Sequence, residues 1–309
     1  MLEQKQENQK EYPIHKYFIY IFIIITVSLV ILRIFLYFFD ILPWIKKTKD
    51  IDFKILLEGM ENGLINFYDD ITISDWPPYY LYFWYFLFFP IYILPFNVYI
   101  GVYVWDVLRL ILAIILLKES PKMFKNKKDL LIFYIFSTVG YSIDAYYNNV
   151  NFLIVFFLFY SLVFLEQDKK WISGILFTLA TFKITAIVFL PVLLIAKKIK
   201  WKDLLYFLIP FIIVCIPYMI FPDYFFQMVT NWGHSDAEIR GILFNFDSIL
   251  WKALQPSHLM FISLLLIIFL ENIKDEKRKN VYKIILVLII TIYYIYLTII
   301  VFIIPVIFG

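Results

Sequence analysis

Asp52, Glu58, Glu61, Asp69, Asp70 and Asp75 crowd the segment 52–78, where Lys54 is the one basic residue. A carboxylate at this place has an evident use as a general base that takes the proton from an attacking hydroxyl. Asp50 and Asp52 stand first. Either could equally cap a short helix that follows them, or carry ordinary solvated charge. The pair Asp69 and Asp70 suits a divalent ion or a turn, but lacks histidine or carboxylate ligands at defined spacing, so no metal and no other cofactor is expected. Asn148, Asn149 and Asn151 offer amides to a sugar or a phosphate, and asparagine also favours turns for its own reasons. Lys183 lies mid-way along an apolar run, where an ionisable group costs at least a few kcal/mol and is a functional candidate by default. It is too central to reach the interface by snorkelling, and would neutralise a phosphate or pair with a carboxylate. Asp106 and Arg109, three apart, share a helix face and read as a structural ion pair. Trp232, His234, Arg240 and Asn245 occupy a later polar stretch, where His234 or Arg240 would stabilise an anionic leaving group or simply face water.

The elements that carry these residues are membrane spans. Hydrophobic residues make up 62% of the chain, against roughly 45–50% in soluble domains. Several apolar runs reach the ~18 residues needed to cross a hydrocarbon core. A net charge of +3 is too small to argue for a nucleic-acid partner. Cys215 is the single cysteine, which excludes an intrachain disulfide and a thiolate metal site. Residues 1–16 are polar, and the run 17–39 is too long for a signal-peptide core and has no cleavage site after it. It is expected to be a retained signal anchor.

The first span is therefore 17–39, with Pro43 and Trp44 marking an interfacial exit. A short helix over 53–62, ended by Gly63, places Phe53, Leu56, Leu57 and Met60 on one face and is expected to lie on the membrane surface. Apolar runs follow at 79–94, 98–117, 130–143, 152–165, 171–196, 204–221, 257–270 and 281–308, with a polar turn at 144–151 and a long polar loop from 222 to about 255. Lysine-rich loops at 118–129, 166–170, 197–202 and 271–280 are expected on the cytoplasmic side. The acidic loop, the 144–151 turn and the 222–255 loop then share the opposite face. A plain zigzag fails in two places. Two crossings between Pro78 and Lys118 would put a basic loop outside, and the 171–196 run has basic loops at both ends. Broken or re-entrant helices near Pro95 and Lys183 resolve the conflict. Irregular backbone at membrane depth survives only where protein or a cavity surrounds it. The fold class is all-α and polytopic, a bundle of about eight to ten transmembrane or re-entrant helices. One domain is expected over 1–309, with a polar cytoplasmic tail at 1–16, a catalytic outer loop at 40–78 and a second outer loop at 222–256.

The order of these motifs resembles the GT-C membrane glycosyltransferases, most closely the polyprenol-phosphate-mannose-dependent group of glycosyltransferase family 87. That group has an Asp-aromatic pair after the first span, then a Gly, a Tyr and a Pro-Pro. Here the similar residues are Asp52-Phe53, Gly63, Tyr68 and Pro77-Pro78. A Gly-Gln-Val-Asn turn aligns with Asn148-Asn149-Val150-Asn151, whose first two positions differ. A Gly…Ala-x-x-Lys run is similar to Gly174…Ala180-Thr-Phe-Lys183, with Ala186 where the family usually has proline and Pro191 further on. A late Asn-Gln-Ser-Leu element is faintly similar to Phe246-Asp247-Ser248-Ile249. The resemblance covers about residues 17–255.

The resemblance implies an inverting hexosyltransferase of a cell membrane, multi-pass, with its catalytic loops extracytoplasmic. It implies Asp52 as base, a polyprenyl-phosphate-linked donor (mannose being the expected sugar) and a lipid or glycan acceptor. Lys183, His234 and Arg240 are the candidates for the donor phosphate. Asp69, Asp70, Trp76, Asn148, Asn149 and Asn151 are the candidates for sugar or acceptor. Trp76, Tyr79 and Tyr80 would stack on sugar faces or anchor at the interface. Two rivals stand beside it. A transporter or lipid flippase would also explain broken helices and an intramembrane lysine. A non-catalytic subunit of a membrane complex would leave Asp52 far from any cavity.

Overall fold

The computed structural model describes residues 14–39, 49–69, 77–124 and 127–240, with backbone alone at 97, 98, 185 and 232–240. The expected runs at 257–270 and 281–308 lie outside the described residues, as do Asp70, Asp75, Trp76, Asn245 and the 246–249 element. Eleven α-helices and no strands occupy the described residues. They are α1 (Ile14–Phe38), α2 (Ile51–Glu61), α3 (Gly63–Asn66), α4 (Trp84–Tyr92), α5 (Asn97–Glu119) and α6 (Lys127–Tyr147), then α7 (Asn151–Glu166), α8 (Lys170–Ala180), α9 (Phe189–Ile195), α10 (Leu205–Ile220) and α11 (Pro222–Arg240).

Among the described residues, three stretches are long and apolar enough to cross a bilayer: Ile14–Phe38, Tyr99–Lys122 and Trp201–Ile220. Their outward faces are apolar. Tyr20, Ile24 and Ile31 on α1, and Ile212, Ile213 and Met219 on α10, are largely exposed, as lipid-facing side chains should be. This is an all-α polytopic membrane protein.

Both topological conflicts resolve through shortened helices. The aromatic run 79–94 makes only α4, nine residues long, about 13 Å at 1.5 Å per residue and too short to cross. The chain turns at Phe96, whose φ of 56° is left-handed, and only α5 then crosses. With one crossing instead of two, the shortened α4 removes the conflict over the basic segment after α5. The 171–196 run breaks at 181–183, continues as a 3-10 turn over Ile184–Val188, and returns as α9. Lys170 at its start and Asp203 just past its end lie 3.1 Å apart, so the segment enters and leaves at one level. Lys198 reaches Glu166 at 3.0 Å at the same level. The break lies within protein. Phe182 C=O accepts from Leu81 N–H at 2.7 Å, and Ala186 N–H donates to Lys183 C=O at 3.0 Å. Protein partners replace the missing helical bonds, as hydrocarbon cannot.

Three further expectations change. The face of α2 formed by Phe53, Leu56, Leu57 and Met60 is fully buried by protein rather than laid on the membrane surface. Phe53 stacks on Trp105 of α5 at 5.3 Å and meets Phe88 of α4 edge-on. The 144–151 turn is tighter than expected, since α6 runs on through Tyr147. The 222–255 loop is helical as far as Arg240. Its Pro222 starts the helix, a position where the missing N–H costs nothing, and Asp223 lies in the first turn. Tyr224, Met228 and Asn231 (one narrow stripe at helical spacing) face the body of the protein. Asn231 Nδ2 donates to Tyr68 C=O at 2.7 Å and Pro78 C=O at 2.9 Å. Tyr218 Oη meets Tyr68 Oη at 2.6 Å and accepts from Tyr82 N–H at 2.8 Å. The two polar regions on either side of the bundle sequence are therefore bonded together.

Small residues set the closest helix contacts. Ser161 Oγ of α7 donates to Ser173 C=O of α8 at 2.9 Å, the close approach that small residues permit in membranes. Gly174 faces Tyr206 at the start of α10. Pro210 has no N–H to bond the Tyr206 carbonyl four residues back, which leaves that oxygen to the neighbouring helix. A Cβ at Gly174 would stand 1.8 Å from it. Gly174→Ala should therefore push α8 away from α10 and destabilise the protein by about 1–3 kcal/mol, the usual cost of overpacking. Thermal unfolding in detergent measures it. A melting temperature equal to that of the parent would show that this approach is not tight.

Candidate functional site

Asp52 lies in the first turn of α2, and the two residues before it are fixed from several directions. Asp50 N–H donates to Tyr146 C=O at 3.2 Å. Its φ of 66° is left-handed, which aspartate tolerates because its short side chain can bond locally. That side chain does not cap α2. Arg33 of α1 grips it instead, Nε to Oδ2 at 2.6 Å and Nη2 to Oδ1 at 2.8 Å, while Lys49 bonds Oδ1 as well. The third arm of Arg33 reaches Asp106 Oδ2 of α5 at 2.7 Å. Asp106 pairs with Arg109 one turn on, as its spacing predicts, and Arg109 donates to Asn148 Oδ1. A buried chain of alternating charge thus runs from α1 through the root of α2 and across α5 to the 148–151 turn.

The charges in this chain sustain one another. Burial alone would raise the Asp50 carboxyl, but the Arg33 hydrogen bond and the Lys49 and Arg33 charges outweigh it and hold Asp50 below the ordinary carboxylate range. Burial draws Lys49 down to about 8, against the pull of Asp50.

The 148–151 turn hangs on the far end of that chain. Asn148 takes a left-handed φ of 57°, and is fully buried. Its Oδ1 serves Arg109 and its Nδ2 donates to Val102 C=O at 3.2 Å, so both polar atoms bond protein. Asn149 is held by Trp105 Nε1, which donates to its C=O at 3.1 Å, and by Val150 N–H, which donates to its Oδ1 at 2.7 Å. Its Nδ2 donates to Asp52 Oδ2 at 2.5 Å. Asn151 Oδ1 accepts from Lys183 Nζ at 2.8 Å. Lys183 stands at the break between α8 and the 3-10 turn, 8% exposed, with Nζ 5.9 Å from the centre of the Tyr80 ring.

Four segments far apart in sequence therefore meet: the root of α2, residues 79–82, the 148–151 turn and the 181–183 break. Asp52 keeps part of its surface open, yet protein atoms crowd its carboxylate. Desolvation raises its pKa above the ordinary value. The Lys183 charge, then the Asn149 hydrogen bond, restrain the rise. Such a group is more basic than a free aspartate. A cation stands near enough to feel its charge. The pair can accept a proton and stabilise an anion in one place.

The other candidates separate from this centre. Asp69 is exposed and accepts from Gln227 Nε2 of α11 at 2.7 Å. His234 and Arg240 lie on α11, and their side chains, like Asp70 and Trp76, fall outside the described residues. Two participants escaped the sequence reading. Arg33 is an ionisable residue in an apolar helix, the same signal that singled out Lys183. Asp144 lay in a stretch read only as a polar turn, yet it is 2% exposed and interacts electrostatically with Arg109, Lys183 and Asp52. Among the described residues no group of three or more His, Cys, Asp or Glu is arranged to hold a metal.

The comparisons with known proteins agree with the motif order. No curated protein and no solved structure matches the chain. A family model, glycosyltransferase family 87, matches residues 79–301. The match takes in the 148–151 turn and Lys183. It begins after Asp52, which joins them through geometry. It spans well over half of the 309 residues, and its membrane-embedded helices suit a transferase whose donor is lipid-linked: the chain belongs to glycosyltransferase family 87.

Proposed function

We propose that this membrane glycosyltransferase moves a hexose, mannose in our reading, from a polyprenyl-phosphate donor to a hydroxyl of a lipid or glycan acceptor. The transfer takes place on the extracytoplasmic side of a cell membrane, away from the lysine-rich loops. The observation that carries the reading is the convergence of Asp52, Asn149, Asn151 and Lys183 through the bonds Asn149–Asp52 and Lys183–Asn151.

In this mechanism the acceptor hydroxyl meets the open side of Asp52. Its proton passes to the carboxylate as its oxygen bonds the anomeric carbon. The bond from that carbon to the phosphate oxygen breaks on the opposite face, so the configuration inverts. The electron pair leaves with polyprenyl phosphate, which gains one negative charge. Lys183 stabilises that charge, and Arg240 or His234 of α11 is proposed to assist. Asn149 orients the base and Asn151 orients the cation, each with an amide whose direction is fixed by its partner. Asn148 serves the ion chain in this scheme and not the sugar. Asp69, Asp70 and Trp76 are assigned to the acceptor side. No metal is required, since Lys183 supplies positive charge at the leaving group.

Purified protein in detergent or nanodiscs, given polyprenyl-phosphate mannose and lipid or glycan acceptors, should release polyprenyl phosphate and form product. Glucose and arabinose donors test the sugar. Asp52→Asn keeps the shape and should lower kcat by ~10²–10⁴-fold, the usual worth of a general base, with unchanged yield and melting temperature. Full activity in that variant sinks the assignment of the base. The pH profile gives a second check. Asp52 must be ionised to act, so kcat/KM should rise with pH through its raised pKa and then level off. Because the Lys183 charge lowers that pKa, Lys183→Gln should move the acid limb to higher pH as well as lower kcat. An acid limb that stays in place would separate Lys183 from the base.

A further inference from the structure

Asp144 and Asn151 flank the 148–151 turn, each with one polar atom that the protein uses and one that it does not. Asp144 Oδ2 accepts from Phe152 N–H at 3.2 Å, while its Oδ1 is buried and has no hydrogen-bond partner among the described residues. Asn151 Oδ1 accepts from Lys183 Nζ at 2.8 Å, while its Nδ2 is buried and has none among the described residues. The ammonium can only donate, so the amide oxygen must be the atom that faces Lys183, and the Nδ2 donor is directed elsewhere. The two residues are 2% and 3% exposed. An unmet buried polar atom costs about 1–3 kcal/mol, and more when charged. Two such atoms, on residues that adjoin the proposed reacting groups, point to a visiting group that satisfies both.

Chemistry narrows that group. Asp144 Oδ1 needs a donor, and Asn151 Nδ2 needs an acceptor. A hydroxyl is both at once. A phosphodiester has no donor to offer a carboxylate oxygen, and Asp144 also lies within electrostatic reach of Asp52. Lys183 therefore takes the anionic end of a ligand, and the position behind Asn151 takes a neutral polyol. We infer that Asp144 Oδ1 and Asn151 Nδ2 form the subsite that reads one hydroxyl of the transferred sugar. This rests on the transferase reading above and deepens it, since Asp144 becomes a specificity residue that touches substrate.

The test is a set of polyprenyl-phosphate mannose donors, each lacking one hydroxyl, assayed with the parent protein, Asp144→Asn and Asn151→Asp. The second variant keeps an oxygen for Lys183, removes the amide donor and adds a charge. One deoxy donor should lose ~10²-fold in kcat/KM with the parent, the scale of a site whose polar groups are left unpaired. Both variants should lose a similar factor with the complete donor, and should show no further loss with that one deoxy donor. If both variants discriminate among the deoxy donors as the parent does, the subsite is overturned and the two atoms serve water or the fold. A parent protein that moves no sugar from any donor overturns the transferase reading, and the subsite with it. Should Asp144→Asn fail to accumulate, the pattern with Asn151→Asp decides alone.

Discussion

The fork of Arg33 between Asp50 and Asp106 is the contact on which the rest of the site depends. It takes a charge from the first span and sets it between the root of α2 and the middle of α5. Removing one partner of such a buried pair costs ~3–5 kcal/mol because the other charge is left alone in a poor solvent. The arrangement is correspondingly complete. Lys49 and Arg109 flank the two aspartates, and Tyr103 covers the guanidinium at 4.5 Å. Asp52 stands two residues from one end of this chain and Asn149 one residue from the other. Their bond closes the circuit, so the orientation of Asp52, the proposed base, follows from these ion pairs.

The second constraint is the solvent. Hydrocarbon offers no partner to a broken helix, and the site needs breaks on two sides. The chain meets this by placing irregular backbone against irregular backbone. The Leu81–Phe182 bond joins the stretch before α4 to the break after α8, and Asn231 and Tyr218 tie residues 68–82 to the later helices. What reads as two polar loops and a kinked span is one bonded layer above the crossing helices.

Much of this was legible in the sequence because it follows from charge and hydropathy. A basic loop at each end of 171–196 excluded a simple crossing, and Lys183 marked the break that the structure has. Asp106 and Arg109 gave their pairing by spacing alone. The misses share a cause. The α11 helix carries only the stripe of Tyr224, Met228 and Asn231 toward protein, too narrow to stand out from a polar stretch. The apolar face of α2 was visible, but whether protein or lipid covers it depends on α4 and α5, which no local pattern reports. Arg33 carries the same signal as Lys183, a single charge in a run of isoleucines and phenylalanines, but nothing local names its partners. The partner of a buried charge is a property of the fold, and for Arg33 both partners lie beyond the helix that carries it.

The re-entrant segment also has a consequence for biogenesis. The chain emerges from the ribosome in order, and the break at Lys183 is among the later parts of the site to appear. Leu81, Asp52 and Asn151 are all made before it. When α8 turns back instead of crossing, the donor for the Phe182 carbonyl and the acceptor for the Lys183 ammonium already exist. The partners of the hairpin and of its cation are therefore already synthesised when Lys183 is made.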